Sequence, residues 1–269
     1  NPFKSCDELE QIIVDAGNTV FDSRGDCNAI IETNANKLIV GCRNTYIPNS
    51  VFSIGRNAFF GCYGLTCITI PNSVTSIESM AFAFCGVNTV IALSTTPPDI
   101  FGSTFYSVKE QLIVSCGSKE AYEASDWANY FTFIEEDCDT HNISIDESNI
   151  NGGNVSASVN STELGEEVQL TVTPNEGMEL VSLVVYNSIN PEQTVPVYPL
   201  GKASSVYGFL MPPFDVVITA IFGPATTIGE NNEALALVYP NPTNGQINIE
   251  AENLKHITIN NMLGQTIYS

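Results

Sequence analysis

Apolar and polar positions in the first half of the chain recur as a block. Residues 47–62 read IPNSVFSIGRNAFFGC and residues 70–85 read IPNSVTSIESMAFAFC. Ile47, Val51, Ile54, Ala58, Phe59 and Cys62 fall on Ile70, Val74, Ile77, Ala81, Phe82 and Cys85, each pair 23 positions apart. Inside the block, LTCITIP (65–71) alternates. Ile68 and Ile70 share one side while Cys67 and Thr69 share the other, which predicts a half-buried strand that Pro71 ends. SVTSI (73–77) predicts a second short strand or turn. ESMAFAFC (78–85) predicts an irregular or short helical return that carries Ala81, Phe82 and Cys85 back to the core. A unit this short cannot bury its apolar side alone. Units stacked at a fixed period of about 20–29 residues share one continuous core, which is a solenoid.

The repeating register covers residues 1–138. PFKSCDELEQI sets Phe3, Cys6, Leu9 and Ile12 at the spacings of Phe59, Cys62, Leu65 and Ile68. The chain therefore opens inside a unit, and earlier repeats are expected before it. Between Val14 and Thr45 the register is interrupted, and NTVFDSRGDCNAIIETNANKLIVGC predicts a hairpin with NAN at its turn. TTPPDIFGSTF (95–105) leads into the last unit. EQLIVSCGSKEAYEASDWANYFTFIEEDC (110–138) predicts a strand, a helix with Ser118 as N-cap, and another strand. Trp127, Tyr130 and Phe131 are expected to plug the open end of the core as a C-terminal cap. Among such neighbours Trp127 reads as core and not as an exposed platform.

Residues 141–223 change character. GEEVQLTVTPNEGMELVSLVV, VYGFLMPPF and DVVITAIF alternate between Gly, Asn and Pro turns, predicting a small β-rich domain that folds by itself. Leu170, Val172, Leu183, Val185, Val217 and Ala220 are its expected interior. Residues 224–237 read as a polar linker. Residues 238–269 begin three further short strands.

Composition narrows the function. The 269 residues hold 9 Lys and Arg against 30 Asp and Glu, a net charge of −21. Nucleic acid and anionic membranes are bound through cationic side chains, so neither is an expected partner. No apolar run approaches the roughly 20 residues that span a bilayer, so no membrane insertion is expected.

The eight cysteines form no C-x-x-C pair. Cys6, Cys62 and Cys85 share one place in the unit and predict a ladder of buried, reduced thiols. Cys27 and Cys42 flank the hairpin and are placed to pair across it or to stay reduced. The states of Cys116 and Cys138 are open. His141 and His256 lie in different segments and fit no catalytic spacing, and no phosphate-binding glycine loop appears. ESNINGG (147–153) puts Glu147, Asn149 and Asn151 at calcium-loop spacing, but the twelfth position is Ser158 where a bidentate Glu is needed. No catalytic residue, metal ligand or cofactor is expected. The chain is read as a non-enzyme.

Three resemblances follow from quoted residues. The doubled IPNSV-x-SI-x₃-AF-x₂-C, with DSRGDCNAIIET and VSCGSKEAY, resembles the BspA-like leucine-rich-repeat family. INGGNVSAS, GEEVQLTVTPNEGMEL and FLMPPFDVVITAIF resemble a divergent internalin-type B repeat, which implies a β-grasp-like fold. YPNPTNG (239–245) and ITINNMLGQTIY (257–268) resemble a type IX secretion sorting domain, without its usual closing strand. Together they imply a mainly β protein of the Bacteroides-group cell surface or extracellular space. Its parts are a leucine-rich-repeat solenoid with a C-terminal cap, a small β-rich domain and a partial β sorting domain.

The function this implies is adhesin-like binding of a protein or glycan on host or neighbouring cells through the solenoid. The alternative is a scaffold arm of a larger surface enzyme. Counting 23 back from Cys67 and Thr69 reaches Asn44 and Tyr46. Asn44, Tyr46 and Thr69 are then expected side by side on the exposed sheet as ligand-facing residues.

Overall fold

The structure, a computed structural model, describes residues 9, 11–108, 110–200 and 205–225, and four short strands between 237 and 268. Residues up to Pro224 form one compact unit, and the residues after it form a second. The described chain is mainly β.

In the first part of the larger unit, successive coils lay short strands into two ladders. The first ladder takes β1 (Phe21–Asp22), β2 (Ala29–Glu32), β3 (Lys37–Gly41), β4 (Ser53–Ile54), β6 (Ser76–Ile77) and β8 (Asp99–Ile100), in that order. The second takes β5 (Cys67–Ile70), β7 (Thr89–Ala92), β9 (Gln111–Ser115) and β10 (Phe133–Asp137) as neighbours. Ser53 faces Ser76 and Ser76 faces Asp99, so one ladder advances by 23 residues. Cys67 faces Thr89, Thr89 faces Gln111 and Gln111 faces Phe133, so the other advances by 22. Parallel pairing at these steps makes equivalent residues of successive coils direct neighbours.

The interruption before Thr45 is a hairpin, as its sequence predicts. β1 and β2 pair antiparallel, as do β2 and β3. β3 then pairs parallel with β4, so the hairpin occupies the place of a coil. Gly41 belongs to this contact, because a Cβ there would lie 2.1 Å from the Phe59 ring.

The core is organised on one aromatic spine. Phe59 stacks on Phe82 at 5.0 Å, Phe82 on Phe105 at 5.2 Å, and Phe105 meets Trp127 at 5.0 Å. All four are buried. Trp127 ends the row as the sequence predicts, and its indole N–H donates to the Pro98 carbonyl at 2.8 Å. Each such ring pair contributes roughly 0.5–1.5 kcal/mol beyond the apolar area it buries. The cap helix α1 (Lys119–Glu123) follows Ser118. The Ser118 hydroxyl donates to the Ser115 carbonyl and does not cap the helix.

The rest of the unit is a pair of sheets. One contains β11 (Thr140–Ile145), β13 (Ser161–Glu163), β15 (Met178–Asn187), β16 (Thr194–Val195) and β19 (Val216–Pro224). The other contains β12 (Gly153–Ala157), β14 (Glu167–Pro174), β17 (Tyr198–Pro199) and β18 (Val206–Leu210). Their inner faces share one core that includes Leu170, Val172, Val185, Phe209, Ile218 and Ala220. Leu183 packs against it half-buried.

Val217 does not belong to that interior. Val216, Ile218, Ala220 and Phe222 are buried along β19, and side chains alternate across a strand, so Val217 and Ala220 cannot share a face. Between 141 and 224 the described residues hold one 3-10 turn, Glu147–Asn149, and no α-helix.

In the smaller unit, Leu237–Tyr239 pairs antiparallel with Asn248–Glu250, and Ile259–Asn260 with Thr266–Tyr268. Four strands are described where three are expected.

Candidate interaction surface

The sequence-predicted ligand row rests on the ladder of β5, β7, β9 and β10. Along its outer side the register sets Thr69 beside Ile91, Ile91 beside Ile113, and Ile113 beside Glu135. Asn44 and Tyr46 do not extend this row. Residues 43–48 form no strand, and β5 is the terminal strand of its sheet. Asn44 is exposed, with its carbonyl accepting from the Asn28 amide nitrogen at 3.2 Å. Thr69 is half-buried.

Tyr46 is a correction to the expected exposed row. Its ring stacks on Tyr198 at 4.5 Å and 18°, so a β17 side chain covers the face expected to meet a ligand. Its hydroxyl donates to the Gly25 carbonyl at 2.7 Å. Burial is the first cause that raises the phenols of both Tyr46 and Tyr198 well above the ordinary tyrosine range. Tyr198 in turn donates to Glu167 at 2.9 Å.

Other contacts place the β-rich layer against the same side of the repeats. A Cβ on Gly165 would lie 2.7 Å from Leu93, and Gly165 holds φ +82, so glycine is required there twice over. Ile91 points out of the repeat core yet is only 3% exposed. Beside these contacts lies a polar cleft of about 200 Å³, bordered by Asn49, Asn72, Leu93, Asp137, Glu163 and Glu166. The ladder face is thus partly an internal interface.

The hairpin segment next to Tyr46 is pinned as well. Arg24 donates to both Asp22 carboxylate oxygens, at 2.7 and 2.6 Å, and to Asn36 at 2.6 Å. Thr33 adds a hydrogen bond to Asp22 at 2.7 Å. The Arg24 hydrogen bond is the main cause that lowers the Asp22 carboxyl below its usual range. Gly25 at φ +64 has no room for a side chain, because a Cβ would lie 2.2 Å from the Tyr46 hydroxyl oxygen. Residues 24–26 are therefore anchored and not presented as an extended loop.

Cysteine chemistry divides by position. Cys116 and Cys138 form a disulfide, with Cα atoms 4.7 Å apart, joining the end of β9 to the residue after β10. Cys27 and Cys42 are buried free thiols and do not pair across the hairpin. Burial pushes Cys27 up to about 12 and Cys85 up to about 11, which removes thiolate reactivity. Cys85 is buried and Cys62 half-buried. Cys6 lies outside the described residues. Among the described residues no group of three or more His, Cys, Asp or Glu is arranged to hold a metal ion.

Residues 29–129 match the BspA type leucine rich repeat region in six copies. This is a BspA-type leucine-rich-repeat region. The match begins at the hairpin strand β2, in keeping with the hairpin's place in the ladder. Residues 237–269 match the secretion system C-terminal sorting domain, of type IX. The protein is therefore extracellular or at the cell surface. No helix among the described residues is long and apolar enough to cross a membrane. No curated protein and no solved structure matches the chain.

Proposed function

We propose that this is a non-enzymatic surface or secreted protein that binds a protein or glycan of host or neighbouring cells through its repeat solenoid. The observation that carries the reading is the pair of parallel ladders. They bring equivalent residues of successive coils side by side and so build long lateral surfaces. Extended surfaces of this kind are what repeat proteins use for recognition. The secretion sorting domain puts such a surface where a foreign macromolecule is met. Thr69 on the ladder and Asn44 in the turn after β3 remain the residues assigned to ligand contact, while Tyr46 is given to the internal interface. Residues 141–223 are taken as a divergent internalin-type B repeat on their sequence likeness alone.

The experiment is solid-phase binding of the full chain to a panel of purified extracellular-matrix proteins, plasma proteins and cell-surface polysaccharides. Saturable binding to a member of the panel is expected. Thr69→Lys combined with Asn44→Ala should weaken it about tenfold, equivalent to roughly 1.4 kcal/mol. Absence of saturable binding across the panel contradicts the adhesin reading. A second reading, a scaffold arm for a larger surface enzyme, draws support from the packing of the β-rich layer and the repeats into one compact unit.

A further inference from the structure

Each coil has a third side besides the two ladders. The return segments 55–64, 79–86 and 101–108 run from one ladder to the other and lie on it. An outer aromatic row crosses them. Phe60 meets Phe84 at 5.4 Å and Phe84 meets Tyr106 at 5.1 Å, with the rings tilted to each other by 63° and 57°. Unlike the inner spine, this row faces water. Phe84 is 39% exposed, Tyr106 53% and the nearby Tyr63 57%.

Phe84 occupies its place against a backbone cost. Its φ is +55, in the left-handed region that bulky residues rarely enter. Gly61, 23 residues earlier, holds the same position at φ +68, and Ser107, 23 residues later, holds it at φ +75. The turn accepts glycine. In its middle coil the chain instead carries a strained phenylalanine whose ring packs between Phe60 and Tyr106 yet stays 39% exposed. Strain held at a ring left this open points to use of its exposed face at the surface.

The charge pattern names the partner. The three return segments contain no Asp or Glu, although the chain has 30. Their one formal charge is Arg56. Glu78, at the border, is already engaged by the Lys37 ammonium and the Arg56 backbone N–H. Exposed Phe, Tyr and Arg beside a half-buried Met80, with no Asp, Glu or Lys, is the composition of a protein–protein interface core. A partner of unspecified charge gives no reason to clear acids from one side. A partner as acidic as this chain does, since two molecules of net charge −21 repel wherever acids meet.

We propose that two copies of the chain associate through this third side, Phe84 and Tyr106 of one copy packing on the same row of the other. A two-fold pair of this kind uses one patch on both partners.

The test is sedimentation velocity of the full chain over a roughly hundredfold concentration range, with thermal unfolding in parallel. The wild-type chain should show a monomer–dimer equilibrium that tightens as salt screens the long-range repulsion. Phe84→Gly places the residue of the preceding coil at this turn. It should leave the unfolding midpoint unchanged or raised while weakening association about tenfold or more. Tyr106→Ser should weaken association likewise without the backbone change. A wild-type chain that stays monomeric throughout overturns the proposal. So does dimerisation of both variants at wild-type strength, and so does association that salt weakens.

Discussion

Asp22 and Arg24 show how one residue pair fixes a loop. Their two-pronged contact, extended to Thr33 and Asn36, closes the hairpin on itself and sets Gly25 beneath Tyr46. The pH dependence has a definite sign. The folded carboxyl titrates below its ordinary value, so its contribution is complete above the unfolded value near 3.8 and is lost as pH falls through the folded one. Glu78, held by Lys37, acts in the same direction but is more exposed and screened. Asp22→Asn should therefore lower stability at neutral pH and flatten its decline below about pH 4. Urea unfolding measured at neutral pH and at pH 3 checks this. An unchanged pH profile would remove Asp22 from the account. The clamp was not legible in the sequence, because its members gain meaning only when the hairpin brings Asn36 back to Arg24. Trp127 was legible, since it stands with Tyr130 and Phe131 at the end of the repeats, where an open core needs a plug.

At the scale of elements, the doubled block gave the coil repeat and the alternation gave the strands. The two ladder steps, 22 and 23, differ because the returns differ in length, which one repeated pair of segments does not display. The face of Val217 followed from strict alternation and was misplaced only because Ala220 was put on the same side. Cysteine pairing could not be read at all, because it depends on which strands become neighbours. β9 and β10 are neighbours, and the disulfide just beyond them closes a separation of 22 residues at the cap. Chain-entropy reasoning gives such a loop about 3 kcal/mol. Replacing Cys116 and Cys138 together by Ser should lower unfolding stability by about that amount, read as a shift in urea midpoint at unchanged slope. A shift below about 0.5 kcal/mol would mean that β9–β10 pairing alone holds the cap.

At the scale of the molecule, the repeats present their three sides unequally. One ladder face receives the β-rich layer through Tyr198, Gly165 and their neighbours. The return side carries an acid-free aromatic row. The expectation that a solenoid offers its sheet face to ligands fails in part here because a later segment of the same chain occupies it. No local pattern in residues 141–223 announces that contact, since the stacking of Tyr46 on Tyr198 joins positions 152 apart in sequence.

The division into a covered ladder face and an open return side is tested most directly by hydroxyl-radical footprinting of the full chain at low concentration, read by mass spectrometry. Tyr46, Ile91 and Tyr198 should be protected, while Tyr63, Phe84 and Tyr106 are oxidised rapidly. Oxidation of Tyr46 and Ile91 at the rate of Tyr63 would contradict the docked arrangement and return the ladder face to solvent.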